Sequence, residues 1–312
     1  MGTKIKKPVV VGIGEILWDM LPSGRQLGGA PANFAWFARA LGAESYVVSS
    51  IGRDPAGRDI LSKLEAMEFS RRYISVDRAH PTGVVEVKLD RSGKPAYDIR
   101  RNVAWDFIRF TPALRSLARE VEAVCFGSLA QRSSVSRQTI RKFVSLMPDS
   151  TLKICDINLR QSFYDRKLIC DLLNLANVLK LNDDELITIT KLFSIRGGEA
   201  DRIRSLMRRF RLKVVAVTRG AKGAVLYCLD GVYPAAGVKV TIVDTVGAGD
   251  SFTAALVMGL INGVEKATII KSANRLAGYV CGRPGATPML SRDMIGRMKP
   301  ICRHDAVGKI IR

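Results

Sequence analysis

Asp244-Thr245-Val246-Gly247-Ala248-Gly249-Asp250 lies between an apolar run, Val238–Val243, and the segment Ser251-Phe252-Thr253-Ala254-Ala255-Leu256. Phe252, Ala255, Leu256, Gly259 and Leu260 then recur at helical spacing, and Asn262-Gly263 supplies a stop. The stretch reads as a glycine loop joining a strand to a helix N-terminus. Gly247 and Gly249 let the backbone turn tightly and come close to a ligand. The first amides of a helix lack internal partners, and the macrodipole adds about half a positive charge there. Such a place suits an oxyanion, above all a phosphoryl group in transit. Asp250 is the odd member, because a carboxylate beside a phosphate repels it unless it has a task. Taking the proton from an attacking hydroxyl is such a task. Capping orphan amides is the plainer alternative.

The flanking sequence sets this loop in an alternating pattern. Val9–Ile13, Tyr46–Ser50, Ala123–Phe126, Leu152–Asp156, Val178–Leu181, Val214–Thr218, Ala224–Cys228 and Val238–Val243 read as strands. Pro31–Leu41, Ala56–Met67, Ser134–Leu146, Asp183–Leu192, Glu199–Phe210, Gly249–Ile261 and Glu265–Cys281 read as helices. Apolar strands alternating with helices predict an α/β fold with a mainly parallel sheet covered on both faces. One region departs from this rhythm. Thr82–Asp90 alternates in polarity, Arg91-Ser92-Gly93-Lys94 turns the chain, and Pro95–Arg100 runs back, which predicts a hairpin. It can serve as a water-excluding lid or be an edge decoration. The expected organisation is a single domain over residues 1–312, with a lid from roughly 15–30 and 81–104 inserted in the α/β core.

Composition removes several function classes. The chain is 47% hydrophobic and 25% charged, as in ordinary globular proteins. Lys4, Lys6 and Lys7 precede the apolar Val9–Ile13, but Glu15 and Asp19 stand where a signal-peptide cleavage site would belong. No apolar stretch is long enough to span a membrane, so a cytoplasmic protein is expected. Cys125, Cys155, Cys170, Cys228, Cys281 and Cys302 form no C-x-x-C pair, and only His80 and His304 could assist them, so reduced, mostly buried thiols are expected. The two histidines also supply a Ser-His-Asp triad poorly. Gly12-Ile13-Gly14 lacks the third glycine of a dinucleotide fingerprint, and no G-x-x-x-x-G-K-[ST] is present. The net charge of +20 thickens over Arg196–Lys213 but has no aromatic interleaving, so a solvated basic helix is expected and no specific nucleic-acid partner.

The opening stretch resembles the C-terminal signature of the ribokinase-like (PfkB) carbohydrate kinases, and the order of the other motifs agrees from about Val9 to Pro288. The resemblance implies a three-layer αβα sandwich with a small antiparallel β-sheet lid. It makes Asp250 the catalytic base and the amides of Gly247, Ala248 and Gly249 an anion hole. Gly28-Gly29-Ala30-Pro31-Ala32-Asn33 is similar to the family's sugar-binding element, and the full string looks most like bacterial fructokinases. Gly28, Gly29 and Asn33 would then hold the sugar together with Asp19 and Asn158. Arg160, in Asp156-Ile157-Asn158-Leu159-Arg160, would neutralise the transferred phosphate. Asn182 and Glu185 resemble the Asn-x-x-Glu motif, with Glu185 organising Mg2+ through water. Thr218, Gly220 and Gly223 resemble the segment lining the nucleotide site. Asn274 and Gly278 match the segment beside the adenine, and Asp244, Val246 and Gly285 would surround a monovalent cation such as K+.

The implied activity is ATP-dependent phosphorylation of a sugar hydroxyl, with fructose first. The implied partners are a small-molecule sugar and ATP, with a homodimer through the lid as the implied assembly. Kinases for 2-keto-3-deoxygluconate, ribose or a phosphorylated ketose are the rivals, and Arg25 and Arg101 keep a phosphosugar open. A non-catalytic sugar- or nucleotide-binding regulator is the alternative of a different class; it would be expected to have lost Asp250 or its glycines.

Overall fold

The computed structural model describes residues 6–21, 24–89 and 95–302. The turn expected at Arg91-Ser92-Gly93-Lys94, His304 and the basic C-terminal residues from 303 onward lie outside them.

The main sheet has nine strands in the order β13-β12-β11-β10-β9-β8-β1-β4-β5. These are β1 (Val9–Ile13), β4 (Glu44–Gly52), β5 (Ile74–Asp77), β8 (Ala123–Phe126), β9 (Leu152–Asp156), β10 (Val178–Asn182), β11 (Val214–Thr218), β12 (Ala224–Cys228) and β13 (Gly231–Ala235). Every pair from β5 to β11 is parallel, and β12 and β13 add an antiparallel edge. The central strands are β-branched and buried along their length because both faces of the sheet are covered. Val9, Val11 and Ile13 pack into one apolar layer and Val10 into the other.

The first layer takes its helical side chains from α3 (Pro112–Ala118), α4 (Ser134–Ser145), α5 (Arg166–Leu175), α6 (Asp183–Leu192) and α7 (Glu199–Phe210). The second takes them from α1 (Ala30–Ala40), α2 (Pro55–Ala66), α8 (Ala248–Ile261), α9 (Lys266–Cys281) and α10 (Arg292–Met298). The expected three-layer αβα sandwich is present. Helix α8 is buried from Asp250 through Gly259, as befits a helix apolar on all sides.

A second, four-stranded sheet has the order β3-β2-β6-β7, from β2 (Leu17–Leu21), β3 (Gly24–Gly28), β6 (Gly83–Leu89) and β7 (Pro95–Ile99). The expected hairpin is β6–β7, paired with Val85 opposite Ile99. β2–β3 is also antiparallel, but β2 runs parallel to β6, so the sheet is mixed at its centre.

One expected strand is absent. Val238–Val243 belongs to no strand and links β13 to the glycine loop. Its Val238, Val240, Ile242 and Val243 are 43%, 40%, 62% and 59% exposed. The β-branched run has no neighbouring strand to pair with among the described residues, and Val238, Lys239, Val240 and Ile242 line a cavity instead. The glycine loop is therefore entered from an irregular segment.

Candidate active site

The C-terminal ends of the parallel strands meet the N-terminus of α8, the place where open α/β sheets build ligand sites. Gly247 is the N-cap of α8, at φ 79°, and no side chain caps this helix end. The Ala248 amide donates to the Thr245 carbonyl at 3.3 Å, while the amides of Gly247 and Gly249 have no partner among the described residues and can face an anion. A Cβ on Gly247 would lie 2.0 Å from the carbonyl oxygen of Ala286, so only glycine fits both the conformation and the space.

Asp250 is buried in the first turn of the helix and accepts a 2.8 Å hydrogen bond from Asn33 Nδ2 on α1. Burial pushes its carboxyl up to about 6, with Asp156 adding to the rise. The bond from Asn33 and the charges of Lys180 and Arg160 pull the other way. The expected sugar ligand Asn33 is therefore bonded directly to the expected base. Helix α1 reaches Asp250 because a Cβ at Gly12 would stand 1.9 Å from the Pro31 carbonyl oxygen, so glycine lets α1 dock against β1.

Asp19, on β2, is directly opposite Gln26 in the β2–β3 register. A Cβ on Gly28 would lie 2.0 Å from Asp19 Oδ2, so Gly28 makes room for this carboxylate. Burial raises the Asp19 carboxyl to about 6, opposed by Arg160. Gly29, at φ 109°, turns over the Glu15 carbonyl, which a Cβ would approach to 2.4 Å. The charge of Arg160 opposes the rise at the carboxyls of Asp19, Glu15 and Asp250. Its Nη2 donates to Asn158 Oδ1 at 3.1 Å, and Asn158 holds a left-handed φ of 43°, which asparagine tolerates best among non-glycine residues.

Asn182 caps α6 and accepts the Glu185 amide at 2.8 Å, while Glu185 Oε2 accepts the Asn182 amide at 2.9 Å. Glu185 Oε1 accepts the Leu159 amide at 3.0 Å, tying the arginine loop to α6. Each oxygen keeps a lone pair for a water. Among the described residues no three His, Cys, Asp or Glu side chains gather to hold a metal ion directly. Asp244 accepts amide bonds from Val246 at 3.0 Å and Gly285 at 3.1 Å, bringing these three expected cation residues together.

Beside the glycine loop opens a cavity of about 430 Å3. Thr218, Gly220, Gly223, Ala248, Gly249, Asn274 and Gly278 are in its wall, so five of the six expected nucleotide residues come together. Asn182 does not line it and is committed to its cap.

Comparison with known proteins is consistent across the chain. The description "pfkB family carbohydrate kinase" matches residues 24–293. The chain belongs to the PfkB family of carbohydrate kinases. It is 27% identical over 310 residues to a sugar kinase of Pyrococcus horikoshii, covering 93% of this chain and 96% of that protein. Against the fructokinase of Salmonella typhimurium it is 29% identical, covering 88% and 92%. The crystal structure of the Pyrococcus horikoshii protein, described as an uncharacterized sugar kinase, superposes with a TM-score of 0.79 at 26% identity, over 96% of this chain and 99% of that one. That protein has also been solved in complex with ATP. This chain is a carbohydrate kinase of the PfkB family. Among its described residues no helix is long and apolar enough to cross a membrane.

Two buried groups of this kinase escaped the sequence reading. Lys180 Nζ, on β10, forms a 3.0 Å ion pair with Asp156 Oδ1, and Thr253 Oγ1 of α8 donates to Asp156 Oδ2 at 2.8 Å. A Cβ on Gly249 would stand 2.9 Å from that ammonium, so a cation lies directly beneath the glycine loop. Burial works against its charge, yet Asp156, Glu185 and Asp250 together hold its pKa above the ordinary value. A lysine inside an apolar strand pattern, Val-Leu-Lys-Leu-Asn, was the available signal. Glu15 follows β1, is 5% exposed, and leaves Oε2 without a partner. Burial raises its carboxyl to about 7; the neighbouring Asp250 adds to this, while its own and the Ala30 backbone and Arg160 oppose it.

Proposed function

We propose that this kinase moves the γ-phosphoryl group of ATP to a hydroxyl of a small sugar, fructose first, with Asp250 as general base. The observation that carries this reading is the buried Asn33–Asp250 hydrogen bond at the uncapped start of α8. A carboxylate with its pKa near 6 is ionised at neutral pH and still basic enough to take a hydroxyl proton as the bond to phosphorus forms. The amides at Gly247, Ala248 and Gly249 lie along the same helix end and would counter the charge that develops on the phosphoryl oxygens, that of Ala248 exchanging its 3.3 Å bond to the Thr245 carbonyl for the phosphate. Arg160, exposed and hydrogen-bonded to the Leu159 carbonyl and Asn158 Oδ1, adds a cation on the sugar side.

Asp19 and Asn158 would bind sugar hydroxyls, with Gly28 and Gly29 letting the backbone close around the ring. Asn33 keeps its side-chain oxygen for the sugar while its nitrogen holds Asp250. The second sheet, carrying Asp19, would cover the sugar as a lid over residues 15–30 and 81–104 of a single domain. Mg2+ fits as an ion held by nucleotide phosphates and waters, with Glu185 ordering those waters. It would neutralise phosphate charge when bound. Asp244, Val246 and Gly285 fit a monovalent cation beside the glycine loop.

Fructose leads because the string from Gly28 to Asn33 is similar to that of bacterial fructokinases, and because of the 29% identity to the Salmonella typhimurium fructokinase. A coupled assay for ADP release over sugars, sugar phosphates and 2-keto-3-deoxygluconate tests it. The highest kcat/KM is expected for fructose. A phosphosugar or sugar acid preferred by more than about tenfold, near 1.4 kcal/mol in transition-state binding, overturns the substrate assignment. Asp250→Asn should lower kcat by about 10²–10⁴. Retention of more than about a tenth of the activity would leave Asp250 a helix cap.

A further inference from the structure

Resting on the reading that Arg160 stands beside the transferring phosphoryl group, we propose that Arg132 and Phe163 are positioning residues for it. They seat the Arg160 loop against the root of the second sheet, where β6 enters and β7 leaves, and so fix where its guanidinium stands.

The loop from β9 to α5 needs such a hold. Arg160 is exposed, and its side chain bonds within the loop, to the Leu159 carbonyl and Asn158 Oδ1. Asn158 at φ 43° and Gln161 at φ 47° bracket it in left-handed backbone, which non-glycine residues keep where their surroundings impose it. On the side before Arg160, the Leu159 amide is bound by Glu185, and the Asn158 carbonyl accepts from Ser128 Oγ at 3.2 Å. On the side after it, the Phe163 amide turns back to the Arg160 carbonyl at 3.2 Å, and the anchor is the buried Phe163 ring.

That ring lies under two guanidiniums, Arg101 at 4.8 Å and Arg132 at 4.6 Å from its centroid. Arg132 is the buried one. Its Nε and Nη2 pair with the two oxygens of Asp106, each at 2.9 Å, and Nη2 also donates to the Arg100 carbonyl. Its guanidinium lies 4.2 Å from the centroid of the Trp105 ring. Arg100 directly follows β7, and Trp105 packs on the first residue of β6, where a Cβ on Gly83 would stand 2.2 Å from Trp105 Nε1. One cation thus touches the exit of β7, the ring at the entry of β6, and the ring that closes the Arg160 loop. A planar guanidinium can fork to a carboxylate and stack on rings at once, which an ammonium cannot.

A residue that only stabilises the fold changes kcat whether or not Arg160 is present. One that acts through Arg160 loses its effect when Arg160 is gone. The test is therefore a double-mutant cycle in steady-state kinetics with ATP and the best sugar substrate, with thermal melts to confirm folding and calorimetry for ADP. Arg160→Ala is expected to lower kcat. Phe163→Leu leaves the Arg132–Asp106 pair in place and should lower kcat by about 10- to 100-fold, the scale of a displacement of about 1 Å, with ADP affinity within about twofold. In the Arg160→Ala background the same substitution should change kcat by less than about twofold. Arg132→Lys keeps a charge beside Asp106 but loses the fork and the stack, and should repeat the effect of Phe163→Leu. Equal losses in both backgrounds, or near-normal kcat in folded Phe163→Leu or Arg132→Lys, would overturn the proposal. Unchanged kcat in Arg160→Ala would instead overturn the role of Arg160 on which it rests.

Discussion

Asp250 and Glu15 are two buried carboxylates near one guanidinium, and both are harder to ionise than in water. For Asp250 this sets an acid limb: the base is half protonated near pH 6, so kcat/KM should fall below that pH and level off above it. Asn33 favours the ionised form through its hydrogen bond. Asn33→Ala should therefore move the acid limb upward by about one pH unit, since bonds to charged groups are worth about 1.5–3 kcal/mol. A pH–rate profile checks it, and an unmoved limb would mean Asn33 does not act on Asp250. Glu15 supports a separate prediction about stability. Its folded pKa, about 7, lies above the ordinary 4.5, so its protonated form contributes stability fully below pH 4.5. That contribution is lost as pH rises through 7. Glu15→Gln cannot ionise, so in urea melts it should be more stable than wild type at pH 8, by up to about 3 kcal/mol. Near pH 4.5 the two proteins should be alike. A variant less stable at both pH values would show that the ionised carboxylate is held favourably by Arg160 and nearby amides.

The start of α8 is the element on which the site depends, and it rests on two close approaches. Gly247 lies against Ala286 and Gly249 against Lys180. Gly247→Ala puts a methyl into the Ala286 carbonyl at a left-handed φ, so backbone must move and the amides must turn away. The expected result is a fall in kcat of about 10²–10³, the worth of a lost oxyanion-hole donor, with Tm lowered by a few degrees. Steady-state kinetics beside a thermal melt checks it; near-normal kcat in the folded variant would mean these amides do not face the phosphate. This element was legible in the sequence because glycine spacing and helical periodicity are local signals. Six of the parallel strands, β1, β4, β8, β9, β10 and β11, were legible for a similar reason, being continuous apolar runs, whereas β5, which has no fully buried position, was not read. Strands β2, β3 and β13 were not, since each is only partly buried and so lacks a continuous apolar run, and Pro234 sits in the last. Val238–Val243 carries the strand pattern without the strand, because its partner is a cavity. Lys180 was passed over because its meaning depends on Asp156, 24 residues away, and on where α8 begins.

At the scale of the molecule, the candidate site residues come from both sheets, and the connection between the sheets is short. The chain leaves β1, passes Gly14 at φ 149°, and enters β2 with only Glu15 and Ile16 between. Asp19 on β2 and Asp250 on α8 therefore come from different bodies, and a sugar bonded to both would tie them together. Gln26, opposite Asp19, has a buried Oε1 without a partner, 3.3 Å from where a Cβ of Gly285 would be. The second sheet thus already leans on the loop that abuts the helix start, where a closing movement would have least distance to cover. Closure of this kind excludes water, which would otherwise compete with the sugar for the phosphoryl group. Hydrogen exchange measured by mass spectrometry should then show slower exchange in 17–28 and 83–89 with a saturating sugar substrate, and slower still with sugar and a non-hydrolysable ATP analogue together. ATP analogue alone should protect mainly 237–249 and 274–286, which border its cavity. The converse pattern, with nucleotide alone protecting β2 and β3 as strongly as sugar does, would place the sugar elsewhere and leave Asp19 a residue of the sheet edge.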